Sequence, residues 1–454
     1  MTGALGSSRN ILTGKASFRL CLGLALIGTL AACDQDLVLP GERFGTRTAL
    51  DATVPGASDV VDTDTAQPIS LPTATRLSDW PSRGYSSANR LPHAALGGAP
   101  VEVFAADIGE GNSRRNRIAA DPVAGNGIVY TIDAQARLQA TSVNGGGVVW
   151  ASDLVPDFDR GGNVSGGGMA LAGGVLYAST AYGELIAFDA ASGAVQWRQR
   201  LGSVLGSPTV SNGVIYVVGQ NSEAWAVEAD DGRLRWQIPA PPAQSVLVGG
   251  AAPAISDRSV LLPFPTGEIM AVLPDSGVRV WGTQIAGGRL GAAYADLNDI
   301  TADPVVVGGT IYVGNQSGRV AAIAAQTGEN RWIAREGAYS PILVAGDALF
   351  FVSDRNELLR LDAGSGARVW GSELPLFERE RPRRRKAVFT HFGPILAGGR
   401  LVVASGDGLI RFFSPESGEL TGSIELRGGA AANPIVVDDT LLVVSGDGRL
   451  HAYR

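Results

Sequence analysis

From about Tyr130 onward the chain repeats one arrangement of apolar and polar positions. The clearest copy is Val175-Leu176-Tyr177-Ala178-Ser179, then Gly183-Glu184-Leu185-Ile186-Ala187-Phe188-Asp189, then Ser192-Gly193-Ala194-Val195-Gln196-Trp197. The apolar run around the tyrosine predicts a buried strand. A glycine-containing turn follows, then a second strand, and the Asp-x-x-Ser-Gly element predicts another tight turn in which glycine takes positive φ. The strand carrying the tryptophan closes the unit, and a run such as Ser207-Pro208-Thr209-Val210 ahead of the next copy supplies a fourth strand.

The register repeats strictly. Tyr130 to Trp150, Tyr177 to Trp197, Tyr216 to Trp236, Leu261 to Trp281, Tyr312 to Trp332 and Phe350 to Trp370 are all 20 residues apart. Six of the 8 tryptophans therefore occupy one repeat position, which marks them as packing residues between units. A seventh copy has Gly422 at that position, and an eighth stops at Arg454 before reaching it. Four strands per 38–52 residues is the anatomy of a β-propeller blade, and eight copies predict an all-β, eight-bladed ring over residues 79–454. The eighth copy lacks its closing strand. Pro100-Val101-Glu102-Val103-Phe104 has the right alternation to supply it, with Phe104 in the tryptophan position. That pairing joins the two ends and removes exposed sheet edges.

Composition agrees with many tight turns: 61 of the 454 residues are glycine, 18% are charged and 45% are hydrophobic, so neither a disordered chain nor a helical bundle fits. The two ends differ from the repeats. Residues 1–32 read as a signal peptide, with Lys15 and Arg19 ahead of an apolar run from Leu20 to Leu30 that is too short to span a membrane. The run ends in Leu30-Ala31-Ala32-Cys33, which resembles the bacterial lipobox and predicts lipidation of Cys33. Cys21 is removed with the signal, so the mature chain has no disulfide. Removal also leaves 34 basic against 44 acidic residues, a net charge of −10, which argues against nucleic acid as a partner. Residues 33–78 are rich in Asp, Thr, Pro, Ala and Ser without apolar period and read as a lipidated, disordered tether, with a reach of roughly 35–40 Å for about 45 residues.

The unit resembles the PQQ-type repeat. Combined with the lipobox and the length, residues 79–454 resemble the BamB family of lipoprotein subunits of the outer-membrane β-barrel assembly machinery. The resemblance implies a non-catalytic scaffold without cofactor, held on the periplasmic face of the outer membrane by its lipid. It implies docking on the POTRA domains of BamA, contact with other subunits of that complex, and assistance to unfolded outer-membrane proteins. The repeat is shared with quinoprotein dehydrogenases, so a periplasmic PQQ-dependent enzyme is the alternative, beside a scaffold for another envelope complex. Those enzymes carry an adjacent cysteine pair and calcium ligands. Here the mature chain has no cysteine pair, and its histidines, His93, His391 and His451, lie far apart without metal-ligand spacing. Asp34, directly after Cys33, resembles an inner-membrane retention signal of enteric bacteria; the outer membrane is the expected location.

By the same resemblance, two connections form the partner-binding surface. One aligns with Ser245 to Gly250: Leu247 matches an apolar contact, and Val248 stands where the family has arginine. The other aligns with Leu297 to Pro304: Asp299 matches an acidic position, and Thr301 departs at the next. Outside the resemblance, Glu378 to Lys386 is the one strong charge run in a sparsely charged chain. Its Arg383, Arg384, Arg385 and Lys386 read as a contact for lipid phosphates or an acidic partner, since clustered guanidiniums pair bidentately with such groups.

Overall fold

The computed structural model describes residues 64–159, 166–243, 246, 249–285, 287, 298–379, 381, 383 and 385–454. Its sheets form the expected eight-bladed propeller, and no α-helix occurs among the described residues. Blade 2 shows how one repeat becomes one sheet. Gly167–Ala172, Val175–Thr180, Glu184–Asp189 and Val195–Arg200 pair antiparallel in that order, from the axis outward. The second and third strands are buried almost throughout because neighbouring blades cover both their faces. The fourth strand alternates between exposed and half-buried residues because one side faces solvent.

Blade 1 runs from Val123–Gly125 to Val148–Asp153, blade 3 from Thr209–Ser211 to Leu234–Pro239, and blade 4 from Ala254–Ile255 to Arg279–Gln284. Blade 5 runs from Ile300–Val307 to Asn330–Ala334, blade 6 from Leu343–Ala345 to Arg368–Glu373, and blade 7 from His391–Ala397 to Leu420–Glu425. Blade 8 takes Ile435–Val437, Thr440–Ser445 and Arg449–Tyr453 from the C-terminus and Glu102–Asp107 from the N-terminal side. In that closing pair Phe104 faces Ala452 after a bulge at Glu102. Trp150 faces Ala140, and Trp197 faces Ala187, after the same bulge. Phe104 thus occupies the tryptophan position, as the alternation predicts.

Each repeat tryptophan reaches into the following blade. The indole N–H groups of Trp150, Trp197, Trp281 and Trp332 donate to the carbonyls of Ala190, Ala229, Ala325 and Ala363, each at 3.0 Å. The ring lies against the turn glycine of that blade. A Cβ on Gly193 would come within 2.6 Å of Trp150, and one on Gly366 within 2.5 Å of Trp332. Gly422 breaks the series for a physical reason. The blade after it is the closed one, where the third-to-fourth-strand turn is replaced by the pairing of Arg454 with Val101. No turn glycine is there for an indole to cover.

The structure departs from the sequence reading in one blade and at one boundary. Blade 7 has five strands, because His93–Ala94 adds parallel to its axial strand at Leu396 and Ala397. The segment expected as tether up to residue 78 meets the ring earlier. The Thr65 amide donates to the Val369 carbonyl and the Gln67 amide to the Glu416 carbonyl, each at 3.1 Å. The Arg360 guanidinium, buried in blade 6, donates to the Gln67 carbonyl at 2.6 Å.

From there the chain crosses the end of the channel as a strap. The Trp80 amide donates to Ala124 of blade 1 at 2.7 Å, and the Leu171 amide of blade 2 donates to the Pro81 carbonyl at 2.7 Å. Ile255 of blade 4 donates to Ser87, Val306 of blade 5 to Ala88, Gly398 of blade 7 to Ala94 and Asp438 of blade 8 to Leu77. All these ring groups lie where an axial strand ends. The strap therefore covers one face of the ring, and the blade-to-blade connections lie on the other.

Candidate functional site

The connection face holds a cavity of about 460 Å³ at the channel mouth. Its wall is made where axial strands begin, at Asp121, Ala251, Asp299 to Thr301, Pro341, His391 and Asn433, and Arg83 reaches it from the strap. The strap thus closes this cavity on the far side. Arg83 also ties the strap to the ring. Its Nε lies 3.1 Å from both the Asp121 and Asp303 carboxylates, as ion pairs rather than aligned hydrogen bonds. Its Nη1 donates to the Gly249 carbonyl at 3.2 Å. Asp121 in turn accepts from the Asn433 amide and side chain, and Asn433 accepts from Gly393. This network links blades 1, 5, 7 and 8 through one guanidinium.

Burial sets the charge balance there. Burial pulls the Arg83 pKa down, but Asp303 and Asp121 outweigh it, and the group ends above its ordinary value. Burial pushes Asp303 up, Arg83 pulls it back, and it ends above the usual carboxylate range. Asn89 completes the strap's anchorage. It is 3% exposed and its side-chain amide donates to Pro253 and Pro304 carbonyls at 3.2 and 3.1 Å.

The three histidines have structural partners. His93 places Nδ1 2.6 Å from the Pro72 carbonyl and accepts from the Gly399 amide at Nε2. His391 lines the cavity, yet both nitrogens are engaged: Nε2 with the Pro375 carbonyl at 2.8 Å and Nδ1 with the Ser405 hydroxyl at 2.7 Å. Burial lowers its pKa and favours the neutral ring there. His451 joins the closing pair through Glu102 at 2.8 Å and reaches Ser445 at 3.0 Å. Among the described residues, no group of three or more His, Cys, Asp or Glu is placed to hold a metal ion. Besides the ion network, Asp299 and His391, the cavity presents Arg117, Thr301, Tyr339, Ser340 and Thr390 among small and apolar residues.

The structure places the sequence-derived site residues as follows. Asp299 lies in the cavity wall at 4% exposure, so a partner reaches it only through the mouth. Thr301 lies beside it, and its hydroxyl donates to the Ala338 carbonyl at 2.6 Å. Leu247 and Val248 lie outside the described residues, although Gly249 and Gly250 directly after them line the same cavity. Cys33 and Arg384 also lie outside the described residues, whereas Arg383, Arg385 and Lys386 are exposed. Both family-aligned connections and the basic run thus share one face. Sequence reasoning missed Arg83, Asn89 and Asp303. Arg83 and Asn89 belong to a segment that does not repeat, and no local pattern pairs Arg83 with an aspartate 220 residues away.

A closed ring of eight blades, six of them locked by a repeat tryptophan, with a cavity at the mouth of its axial channel, defines an eight-bladed propeller of the PQQ-repeat class. The family model described as Outer membrane protein assembly factor BamB matches residues 134–372 and 380–454, and the chain belongs to that family. It is 24% identical over 371 residues to the outer membrane protein assembly factor BamB of Yersinia pestis, covering 80% of this chain and 91% of that one. The crystal structure of BamB from Moraxella catarrhalis superposes with a TM-score of 0.61 at 19% identity, over 78% of this chain and 100% of that one. A quinohemoprotein alcohol dehydrogenase from Comamonas testosteroni superposes with a TM-score of 0.60 at 16% identity, over 84% and 81%. These two likenesses are likenesses of fold.

Proposed function

We propose that this protein is an outer membrane protein assembly factor that works as a non-catalytic scaffold. It is anchored through lipid on Cys33 to the periplasmic face of the outer membrane and docks by its connection face on the POTRA domains of BamA. Docked there, it assists the folding and insertion of β-barrel proteins. Family membership over residues 134–372 and 380–454 carries the reading. The gathering of Asp299, Thr301 and the connection that holds Leu247 and Val248 around one cavity mouth supports the choice of face.

The test is co-purification with BamA from membranes in mild detergent. Capture of BamA by the wild-type chain, reduced at least about tenfold by Leu247→Asp with an unchanged melting profile, is the expected result. Absence of BamA from the wild-type eluate overturns the assembly role, and undiminished capture by the variant overturns this docking site. Stoichiometric uptake of pyrroloquinoline quinone would restore the enzyme reading.

A further inference from the structure

The connection between blades 6 and 7 is not a plain loop. Residues 376–378 and 387–389 pair as the root of an arm: Phe377 bridges Val388, the Phe389 amide donates to the Leu376 carbonyl at 2.9 Å, and the Glu378 amide donates to the Ala387 carbonyl at 3.1 Å. Two side chains of the ring clamp that root. Asn356, held at φ 57°, donates through its amide to the Phe389 carbonyl at 3.0 Å and to the Pro375 carbonyl at 3.3 Å. Buried His391 meets the Pro375 carbonyl as well, at 2.8 Å. Beyond the root, Arg379, Arg381, Arg383, Arg385 and Lys386 are all exposed, and the run 378–386, with six cations against Glu378 and Glu380, carries a net charge of +4 in a chain whose net charge is −7. Such a concentration of like charge repels itself in isolation. A clamped root sets where those charges stand and reduces the ordering cost of binding.

We propose that this arm is a docking site for an acidic polypeptide surface, with the guanidiniums of Arg381 and Arg383 pairing with its carboxylates. Three observations favour a polypeptide over a bilayer. First, the arm stands on the connection face, whereas residues 64–77, through which the chain leads back to its N-terminus, lie on the opposite, strap face. Second, the arm lacks the exposed aromatic and leucine set of an interfacial membrane contact: Phe377 is half-buried with the Arg385 guanidinium 4.9 Å from its ring centre, and Val388 is its one large exposed apolar side chain among the described residues. Third, the described cations beyond Phe377 are four arginines and one lysine, and arginine's planar fork matches carboxylates two bonds at a time. The arm also rises next to the cavity, since Thr390, His391 and Phe392 directly follow it into the wall. A partner seated over the mouth meets the arm at its edge. This inference stands apart from the assembly role, because it concerns the chemistry of the partner's surface, whichever protein supplies it.

The test uses the full chain, wild type and a variant carrying Arg381→Gln, Arg383→Gln, Arg385→Gln and Lys386→Gln. These side chains are exposed, and matching melting curves establish that the variant is folded. The first probe is fluorescent poly-L-glutamate, read by anisotropy at about 50 mM and about 300 mM salt. The second is the difference in binding between vesicles of phosphatidylglycerol with phosphatidylcholine and vesicles of phosphatidylcholine alone, which cancels any contribution of a lipid anchor. The expected result is salt-sensitive binding of poly-L-glutamate by the wild type, weakened at least about tenfold in the variant, with the vesicle difference equal for both proteins. Absence of poly-L-glutamate binding by the wild type, or equal binding by the variant, overturns the proposal. A phosphatidylglycerol preference that disappears in the variant overturns it in favour of a membrane contact.

Discussion

Phe104 lies against Gly146: a Cβ built on that glycine would come within 2.7 Å of the Phe104 ring. The six repeat tryptophans stand in the same relation to the turn glycines of their following blades, so the joint between blade 8 and blade 1 is locked like those six. Phe104→Trp should be accepted with little change in stability, because the position already has the geometry of an indole site. Phe104→Ala should lower stability by about 1–3 kcal/mol, since the ring is half-buried. Urea unfolding midpoints of the two variants decide it, and a loss for Phe104→Trp as large as for Phe104→Ala would contradict the shared geometry.

The turn glycines separate two effects that a composition count merges. Gly366 sits at φ 74° with Trp332 in the way of a Cβ, whereas Gly399 sits at the same φ with nothing within 4 Å. Gly399→Ala should cost only the backbone strain, about 1–2 kcal/mol. Gly366→Ala adds displacement of the indole and should cost about 1–3 kcal/mol more. Equal losses in chemical denaturation would mean that the contact contributes nothing.

Gly422 supplies the complementary case. Trp370 is 1% exposed and donates to the Pro415 carbonyl at 3.2 Å, so Trp370→Ala should cost about 3–5 kcal/mol. Gly422→Trp should change stability by no more than about 0.5 kcal/mol, because the new ring would have no turn to cover. A clear gain in melting temperature for Gly422→Trp would show that the absent turn is not what excludes tryptophan there.

Arg83 lies between Asp121 and Asp303 at the floor of the cavity. Arg83→Met leaves Asp303, 1% exposed, without its partner and should cost about 3–5 kcal/mol. Adding Asp303→Asn and Asp121→Asn to Arg83→Met removes the stranded charge and should recover part of that loss. The denaturation midpoints of the single and triple variants measure it; a triple variant weaker than the single one would place the energy in the hydrogen bonds to Gly249 and Asn433 instead.

His391 gives a pH dependence whose sign follows from its environment. Burial lowers its folded pKa below the ordinary value of about 6.5, so folding favours the neutral ring. Its contribution is fully present above about pH 6.5 and is lost as pH falls through the folded value. Wild-type melting temperature should therefore fall between about pH 7 and pH 5 more steeply than that of His391→Gln. Parallel curves would show that the ring does not titrate in that window. The same variant removes one clamp on the basic arm.

The ring was legible in the sequence because a closed repeat makes nearly the same contact at seven of its eight joints. Wherever an indole must reach the next blade's turn, tryptophan recurs at a fixed distance, and Phe104 could be assigned to that position from the gap left at Arg454. The strap was not legible. Leu77, Pro81, Ser87 and Ala88 bind the ring through backbone carbonyls, which leave no mark on the side-chain pattern. Asp299 shows the same limit within the site. Its place in a connection reads correctly from alignment, but its burial is imposed by walls that neighbouring blades build around the mouth. The clamp on the basic arm was hidden likewise, because Asn356 and His391 act from the blades on either side of it.

The strap also dictates an order of events. Arg76 hydrogen bonds to Asp438, 362 residues later, and Ala94 meets Gly398 in the penultimate blade. The segment made among the first is thus among the last to be seated, after nearly the whole chain has emerged. An open solenoid can stop growing at any repeat and keep what it has, but this ring gains its floor, its closing strand and its central ion network together. A chain cut short by even one blade loses partners on both sides of the seam, and its sheet edges are left unpaired.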